Sequence, residues 1–132
     1  MFNGIHHIAL IVSDYEKSKK FYTEILGLNV ILETYRQARQ SWKLDLSVPG
    51  GGQLELFSFP EPPARPSTPE ACGLRHLAFS VSHLETVVDK LEAAGVVVEP
   101  VRIDEHTGQR FTFFKDPDDL PLEIYEQIQR DQ

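Results

Sequence analysis

The sequence predicts an α+β fold in which two β-α-β-β-β modules form a single domain of residues 1–132. Residues 7–12 (HIALIV) are matched by residues 76–81 (HLAFSV), and the two copies lie 69 positions apart. The copies also end alike, with LELF at residues 54–57 and LEIY at residues 122–125. Self-similarity at a fixed offset is typical of a duplicated structural unit.

The first module is predicted to cover about residues 4–59. Residues 4–12 alternate and are rich in apolar types, which favours a strand. Ser13 and Glu16 have the spacing of a capping box, so a helix is predicted to start at Ser13 and to end at Gly27. The remaining predicted elements are strands near 28–36, 41–48 and 53–59 and a hairpin turn at 49–52.

The second module, about residues 74–127, repeats this order after a linker at residues 60–73, which contains five prolines. Ser82 and Glu85 repeat the capping signature, and Gly95 is predicted to end the second helix. The remaining predicted elements are strands near 74–81, 96–102, 109–115 and 120–126 and a turn at 116–119.

The amino-acid composition excludes some classes of function for this chain. The chain has 41% hydrophobic residues and a formal net charge of −7, which argues against nucleic-acid binding and favours a small-molecule substrate. The apolar run at residues 8–12 is too short for a signal peptide or a membrane span, so a cytoplasmic protein without membrane contact is expected. Cys72 is the single cysteine, which excludes an internal disulfide, and it is expected to be a buried, unreactive thiol.

Four residues occupy matched places in the repeat: His7 and Glu55 in the first copy, and His76 and Glu123 in the second. The histidines are 69 positions apart and the glutamates 68. A single histidine or glutamate in a strand is more often structural than functional, but the matched offsets favour a shared role. A mixed set of nitrogen and oxygen donors suits a divalent metal ion, namely Ni²⁺, Zn²⁺, Co²⁺, Fe²⁺ or Mn²⁺.

Other histidines are assigned lesser roles. His6 and His7 are adjacent in a predicted strand and should point to opposite faces, so His6 is excluded from the shared site. His83 lies beside a predicted helix start and His106 in a predicted loop, and both are expected to be solvated.

At these residues the sequence resembles the vicinal oxygen chelate superfamily, and within it the bacterial glyoxalase I branch. The resemblance covers nearly the whole chain. It depends on residues 7–12, on Phe21-Tyr22 and Leu26-Gly27 at the helix end, on residues 75–79 (RHLAF), and on residues 115–118 (KDPD) followed by Glu123. The resemblance assigns the four metal positions to His7, Glu55, His76 and Glu123, and it implies paired βαβββ modules in a homodimer.

The resemblance also implies an activity. A metal-dependent lyase or isomerase of this kind, which detoxifies methylglyoxal, would convert the hemithioacetal of a 2-oxoaldehyde to a 2-hydroxyacyl thioester. The proton would move through a metal-stabilised enediolate, with Glu123 and Glu55 as the catalytic residues. Glu123 would be the mobile ligand and base, and Glu55 the opposite carboxylate, able to act on the other face of the substrate. Ni²⁺ or Zn²⁺ is the expected ion, and no organic cofactor is expected.

Other members of the superfamily supply the alternatives. Extradiol dioxygenases and fosfomycin-resistance transferases use two histidines and one glutamate, and methylmalonyl-CoA epimerases tend to have glutamine where Glu55 stands. Glyoxalase I enzymes hold glutathione with an arginine and an asparagine at the positions of Ile11 and Phe59, so another thiol is an alternative here. A further alternative is a non-catalytic protein that binds a small molecule or confers resistance. The residues expected nearest the cavity are Arg36, Arg39, Trp42, Arg110 and Phe111.

Overall fold

The computed structural model describes residues 1–127 and confirms the predicted α+β fold of two β-α-β-β-β modules. The contacts divide the chain into a first unit, Met1–Ala64, and a second unit that begins at Arg65. This boundary falls inside the predicted linker. Among residues 1–127, no helix has the length and apolar character needed to cross a membrane.

The first unit contains one four-stranded sheet in the order β1-β4-β3-β2. Strand β1 runs parallel to β4, and the other neighbours are antiparallel. A π-helical turn, Phe21–Ile25, continues α1, and a 3-10 turn, Gln37–Arg39, joins β2 to β3. The elements are β1 (His7–Val12), α1 (Tyr15–Lys20), β2 (Asn29–Arg36), β3 (Ser41–Ser47) and β4 (Gln53–Ser58).

The second unit repeats this topology in a sheet of order β5-β8-β7-β6, in which β5 is parallel to β8. The elements are β5 (Leu77–Val81), α2 (Leu84–Ala93), β6 (Arg102–Ile103), β7 (Arg110–Lys115) and β8 (Pro121–Glu126). Asp116 stabilises the turn before β8, since its carboxylate accepts hydrogen bonds from the backbone N–H groups of Asp118 and Leu120.

Alternation along the strands separates a core face from a polar face. In the first sheet Leu44, Leu46, Leu54 and Leu56 are at most 2% exposed, and complete burial of one such side chain contributes roughly 1.5–3 kcal/mol. Because neighbouring strand residues point to opposite faces, Glu55 lies on the face opposite these leucines. In the second sheet Leu122 and Ile124 place Glu123 in the same way.

Both predicted helix starts are wrong by one residue. Asp14, and not Ser13, caps α1, and its carboxylate accepts a hydrogen bond from the Lys17 N–H at 3.2 Å. The residue before α2 is His83, whose side chain makes no capping bond. Instead the Glu126 carboxylate accepts from the Leu84 N–H at 2.9 Å. A strand residue therefore caps a helix 42 positions earlier, which local spacing does not reveal.

The helix ends agree with the prediction. Gly27 and Gly95 adopt φ angles of +75° and +86°, a region where glycine has no steric penalty. The strand predicted at 96–102 is much shorter, because Val96 still donates to the Leu91 carbonyl of the helix end and Pro100 has no N–H to donate.

The expected burial of Cys72 is also wrong. The residue is exposed and lies in the segment that connects β4 to β5.

The cap that Glu126 places on α2 can be tested through its carboxyl group. Its ion pair with Arg110 and its bond to the Leu84 N–H lower the pKa of its carboxyl group. A carboxyl group whose pKa is lowered by folding stabilises the protein at pH values above its pKa in the unfolded chain, which is about 4.3 for glutamate. This contribution disappears as the pH falls through the pKa of the group in the folded protein. Glu126→Gln should therefore lower the free energy of unfolding by about 2 kcal/mol at pH 7 in urea titrations.

The difference between Glu126→Gln and the natural protein should shrink when the titration is repeated near pH 3.5. Glu85→Gln is the matched control, since Glu85 also pairs with Arg110 but its side chain is 69% exposed. An exposed pair of this kind contributes at most about 1 kcal/mol. Equal effects of the two substitutions would contradict a capping role for Glu126.

Candidate functional site

The first unit brings His7 and Glu55 together through the parallel pairing of its first and last strands. Ala9 lies opposite Glu55 in the β1–β4 register, and His7 is two residues earlier on the same face. The Nδ1 atom of His7 is 3.5 Å from Oε2 of Glu55, which is 7% exposed. The pairing thus joins two residues that are far apart in sequence.

The second unit forms an equivalent pair. Ala78 lies opposite Glu123 in the β5–β8 register, which corresponds to the pairing of Ala9 with Glu55. His76 directly precedes β5, and its Nε2 atom is 3.0 Å from Oε2 of Glu123. The two modules therefore present their histidine and glutamate at matched places in the sheet.

The spacing within each pair fits two ligands of one metal ion. Donor atoms about 2.1 Å from an ion lie roughly 3.0 Å apart at a right angle and 3.4 Å apart at the tetrahedral angle. The observed separations of 3.5 and 3.0 Å are close to these values. Over residues 1–127, however, no three or more His, Cys, Asp or Glu side chains form a group that could hold an ion. Each unit supplies two donors.

Charged residues surround the first pair. Asp45 lies opposite Glu55 in the β3–β4 register and is 9% exposed. Lys43 donates to both oxygens of Asp45 at 2.8 and 3.0 Å, and its Nζ is 3.7 Å from Oε1 of Glu55. The hydrogen bond to Asp45 is the largest cause of the raised pKa of Lys43. Lys43 thereby remains a cation and holds two neighbouring carboxylates.

In the second unit, aromatic residues occupy the positions beside His76 and Glu123 that correspond to Asp45 and Lys43. Phe113 is opposite Glu123 in the β7–β8 register, where the first unit has Asp45, and Phe111 corresponds to Lys43. The rings of His76 and Phe113 meet edge to face, with centroids 5.2 Å apart. Glu123 consequently has no lysine or arginine within 4.0 Å among the described residues. The His–Glu pair of the first unit thus has charged neighbours, and the His–Glu pair of the second unit has aromatic neighbours.

The His–Glu pair of the second unit lies beside a cavity of about 880 Å³, which Glu123, Phe111 and Phe113 help to line. One wall is the segment at residues 65–71, and the other is the face of β6, β7 and β8 that carries Arg102, Phe111, Phe113 and Glu123. Ligand pockets typically measure about 300–1,000 Å³, so the cavity is large enough for a small metabolite.

Several expectations for other residues need correction. His6 does not point away from His7 as expected, since their Nδ1 atoms are 2.9 Å apart. His6 precedes strand β1, so the alternation of side chains along a strand does not fix its direction. Arg110 does not line the cavity, since it lies on the other face of β7 and pairs with Glu85 and Glu126. Phe111 does line it.

The remaining candidates lie in the first unit or on the surface. Trp42 stacks on Tyr15 at 5.2 Å. Arg36 and Arg39 cover Phe57 and Phe59 at 4.9 and 5.3 Å. His83 and His106 are exposed, as expected. The prediction missed Lys43, Asp45 and Arg102, whose signal is their cross-strand position relative to Glu55 or Phe111.

The fold and its paired histidines and glutamates define a class of protein. A family model, the Glyoxalase/Bleomycin resistance protein/Dioxygenase superfamily, matches residues 4–124. The chain belongs to this superfamily, which is the vicinal oxygen chelate superfamily, and the predicted membership is confirmed.

Particular relatives resemble the chain over its whole length. The uncharacterized protein YwkD of Bacillus subtilis is 60% identical over 96% of this chain and 99% of its own. The crystal structure of a glyoxalase family protein from Enterococcus faecalis is 50% identical, covers 95% of this chain and 98% of its own, and has a TM-score of 0.88.

Two more distant relatives have named activities. The glutathione transferase FosA of Serratia marcescens is 32% identical over 95% of this chain and 82% of its own. The 2-epi-5-epi-valiolone epimerase of an Actinomyces species is 26% identical over 92% of this chain and 78% of its own. The superfamily relatives of this chain thus include an epimerase and a thiol transferase.

The stabilising role of Lys43, the cation between Asp45 and Glu55, can be tested by double substitution. Lys43→Met leaves two nearly buried carboxylates opposite each other, and like charges in that position destabilise a sheet. We expect the free energy of unfolding to fall by about 2 kcal/mol, a value between those of exposed and buried pairs. Urea titration at pH 7 measures it.

Adding Asp45→Asn to Lys43→Met should restore much of the lost stability, since one of the two facing charges is removed. Lys20→Met, at an exposed position of α1, is the control for loss of a lysine charge. Additive effects of the Lys43 and Asp45 substitutions would show that the two side chains do not interact.

Proposed function

We propose that the chain is a divalent-metal-dependent lyase or isomerase that converts the hemithioacetal of a 2-oxoaldehyde to a 2-hydroxyacyl thioester. The proposed ligands are His7, Glu55, His76 and Glu123, with Ni²⁺ or Zn²⁺ as the ion. The observation that carries the proposal is the pair of His–Glu contacts at ligand spacing, at the same register position of both modules. The two pairs would meet around one ion, either within one chain or across two.

Glu123 is proposed as the general base. When bound, the ion would stabilise negative charge that develops on a substrate oxygen. Glu123 lines the cavity, is opposite a phenylalanine and has one ion-pair partner among the described residues, His76, whereas Glu55 has two, Lys43 and His7. A base must shift position to take a proton from one carbon and return it to the next. The less restrained carboxylate suits that task, and Glu55 would remain in place.

The thiol portion of the substrate is proposed to differ from glutathione. Ile11 is 60% exposed and offers no donor to a carboxylate. Phe59 stacks on Phe57 and offers no hydrogen bond to an amino group. Assays should therefore present methylglyoxal with several low-molecular-weight thiols.

Glu123→Gln tests the assignment of the base. The amide keeps the size of the side chain but cannot accept the proton, so turnover should fall by at least about 100-fold. Metal content, measured by elemental analysis of the purified protein, should stay close to one ion per site. The assay follows thioester formation from methylglyoxal and a thiol.

Glu92→Gln, on the exposed side of α2, is the matched control and should leave turnover unchanged. Full activity of Glu123→Gln would contradict a base at this position. Metal retention without turnover of any hemithioacetal by the natural protein would favour another superfamily reaction, such as epimerisation or thiol transfer. A chain that neither retains metal nor responds to Ni²⁺ or Zn²⁺ would favour a non-catalytic binding protein.

A homodimer is proposed as the working assembly. Strand β2 is at the edge of its sheet and exposes Val30, Ile31 and Leu32 at 48%, 50% and 56%. Apolar side chains on an exposed edge strand favour contact with another chain.

Sedimentation should accordingly give twice the chain mass of 15.0 kDa, and Leu32→Lys should shift the protein toward the monomer. Val97→Lys is the control, since Val97 is 87% exposed in the second unit and away from β2. A natural protein that sediments as a monomer at micromolar concentration would contradict this proposal.

A further inference from the structure

Arg102 lies on an aromatic surface inside the cavity of the second unit. Its guanidinium carbon is 5.4 Å from the ring centroid of Phe111 and 5.2 Å from that of Phe113. Arginine stacked on aromatic rings has a restricted orientation, so its planar group is held in place before a ligand arrives.

Most hydrogen-bonding capacity of Arg102 is unused by the described residues. A guanidinium has five N–H donors, and one bond is present, from Nη2 to Oε1 of Glu99 at 3.2 Å. Both side chains of that pair are about half exposed, at 51% and 54%, so the pair is weak and easily exchanged. The remaining donors are free to bind a planar or tetrahedral oxyanion in two places at once.

Phe113 links this arginine to the proposed reaction centre. The same ring that lies 5.2 Å from the Arg102 guanidinium carbon lies 5.2 Å from the imidazole centroid of His76, and Phe113 is opposite Glu123 in the sheet. A ligand that pairs with Arg102 would therefore have its next few atoms within reach of the His76–Glu123 pair.

The charged residues of the cavity wall favour the binding of an anion at Arg102. One of the wall's carboxylates is already compensated, since Glu70 pairs with Arg75 at 2.7 Å. Arg65 donates to Ser67 and to two backbone carbonyls and has no carboxylate partner among residues 1–127. In a chain of net charge −7, this wall has as many arginine and lysine residues as carboxylates.

We infer that the cavity binds a small organic anion, whose carboxylate or phosphoryl group pairs with Arg102 and whose apolar part contacts Phe111 and Phe113. This inference depends on the proposed function in one respect, namely that the anion is the substrate of the metal site. Arg102 is then a residue that determines specificity and takes no part in proton transfer.

Calorimetric titration of the purified full chain, first freed of metal with EDTA and then dialysed into EDTA-free buffer, tests the inference with three ligands of one shape. The ligands are 3-phenylpropionate, 2-phenylethylphosphonate and the neutral 3-phenylpropionamide. At least one anion should bind about tenfold more tightly than the amide, as expected for charge-assisted bonds. The better of the two anions identifies the carboxylate or the phosphoryl class.

Variants separate the role of Arg102 from general charge effects. Arg102→Met keeps a long side chain without donors and should reduce anion affinity about tenfold, to the level of the amide. Glu99→Gln removes the competing carboxylate and should increase anion affinity about twofold. Lys90→Met, at an exposed position of α2, removes one charge elsewhere and should have no effect.

Equal binding of the amide and both anions would overturn the inference. So would an anion affinity of Arg102→Met equal to that of the natural protein. If Arg102→Met does not unfold cooperatively, the amide comparison and the gain in Glu99→Gln decide the matter. Because these titrations need neither metal nor turnover, anion binding without hemithioacetal isomerisation would contradict the proposed function alone. Isomerisation with the same KM for an anionic substrate in Arg102→Met would contradict this inference alone.

Discussion

The parallel pairing of the first and last strands within each module is the constraint on which the candidate site depends. Histidine and glutamate are about 48 residues apart in each copy, and only the β1–β4 and β5–β8 registers bring them into contact. A shift of one residue would move each glutamate to the leucine face, since strand side chains alternate. Burial of Leu54, Leu56 and Leu122 opposes such a shift and thereby holds the glutamates in position.

Much of this arrangement could be predicted, because it depends on local patterns and on the repeat. Alternating leucines indicate the strands, and glycines indicate where the helices end. Nearly equal offsets, of 69 and 68 positions, select His7, Glu55, His76 and Glu123 from the other polar residues. The contact within each pair then follows from a parallel register shared by both copies. Membership of the superfamily could be predicted from the same motifs.

Several of the errors share a physical cause, which is contact between residues distant in sequence. The Leu84 N–H is capped by Glu126 from another strand, although Ser82 and Glu85 have the local spacing of a capping box. Arg110 follows the strand alternation, but the partners that hold it on the face opposite the cavity come from α2 and β8. Lys43, Asp45 and Arg102 acquire significance only through cross-strand neighbours, so their residue types alone gave no signal.

The two modules differ at the positions beside their matched histidines and glutamates. Asp45 and Lys43 in the first unit correspond to Phe113 and Phe111 in the second, so one glutamate has a cation beside it and the other has an aromatic ring. The phenylalanines also support Arg102 and line the cavity. A duplicated frame can thus assign two tasks to equivalent glutamates: the residue beside Lys43 is held, and the residue beside Phe113 stays accessible to a ligand. Equal backbone positions in the two modules thus have different chemical surroundings.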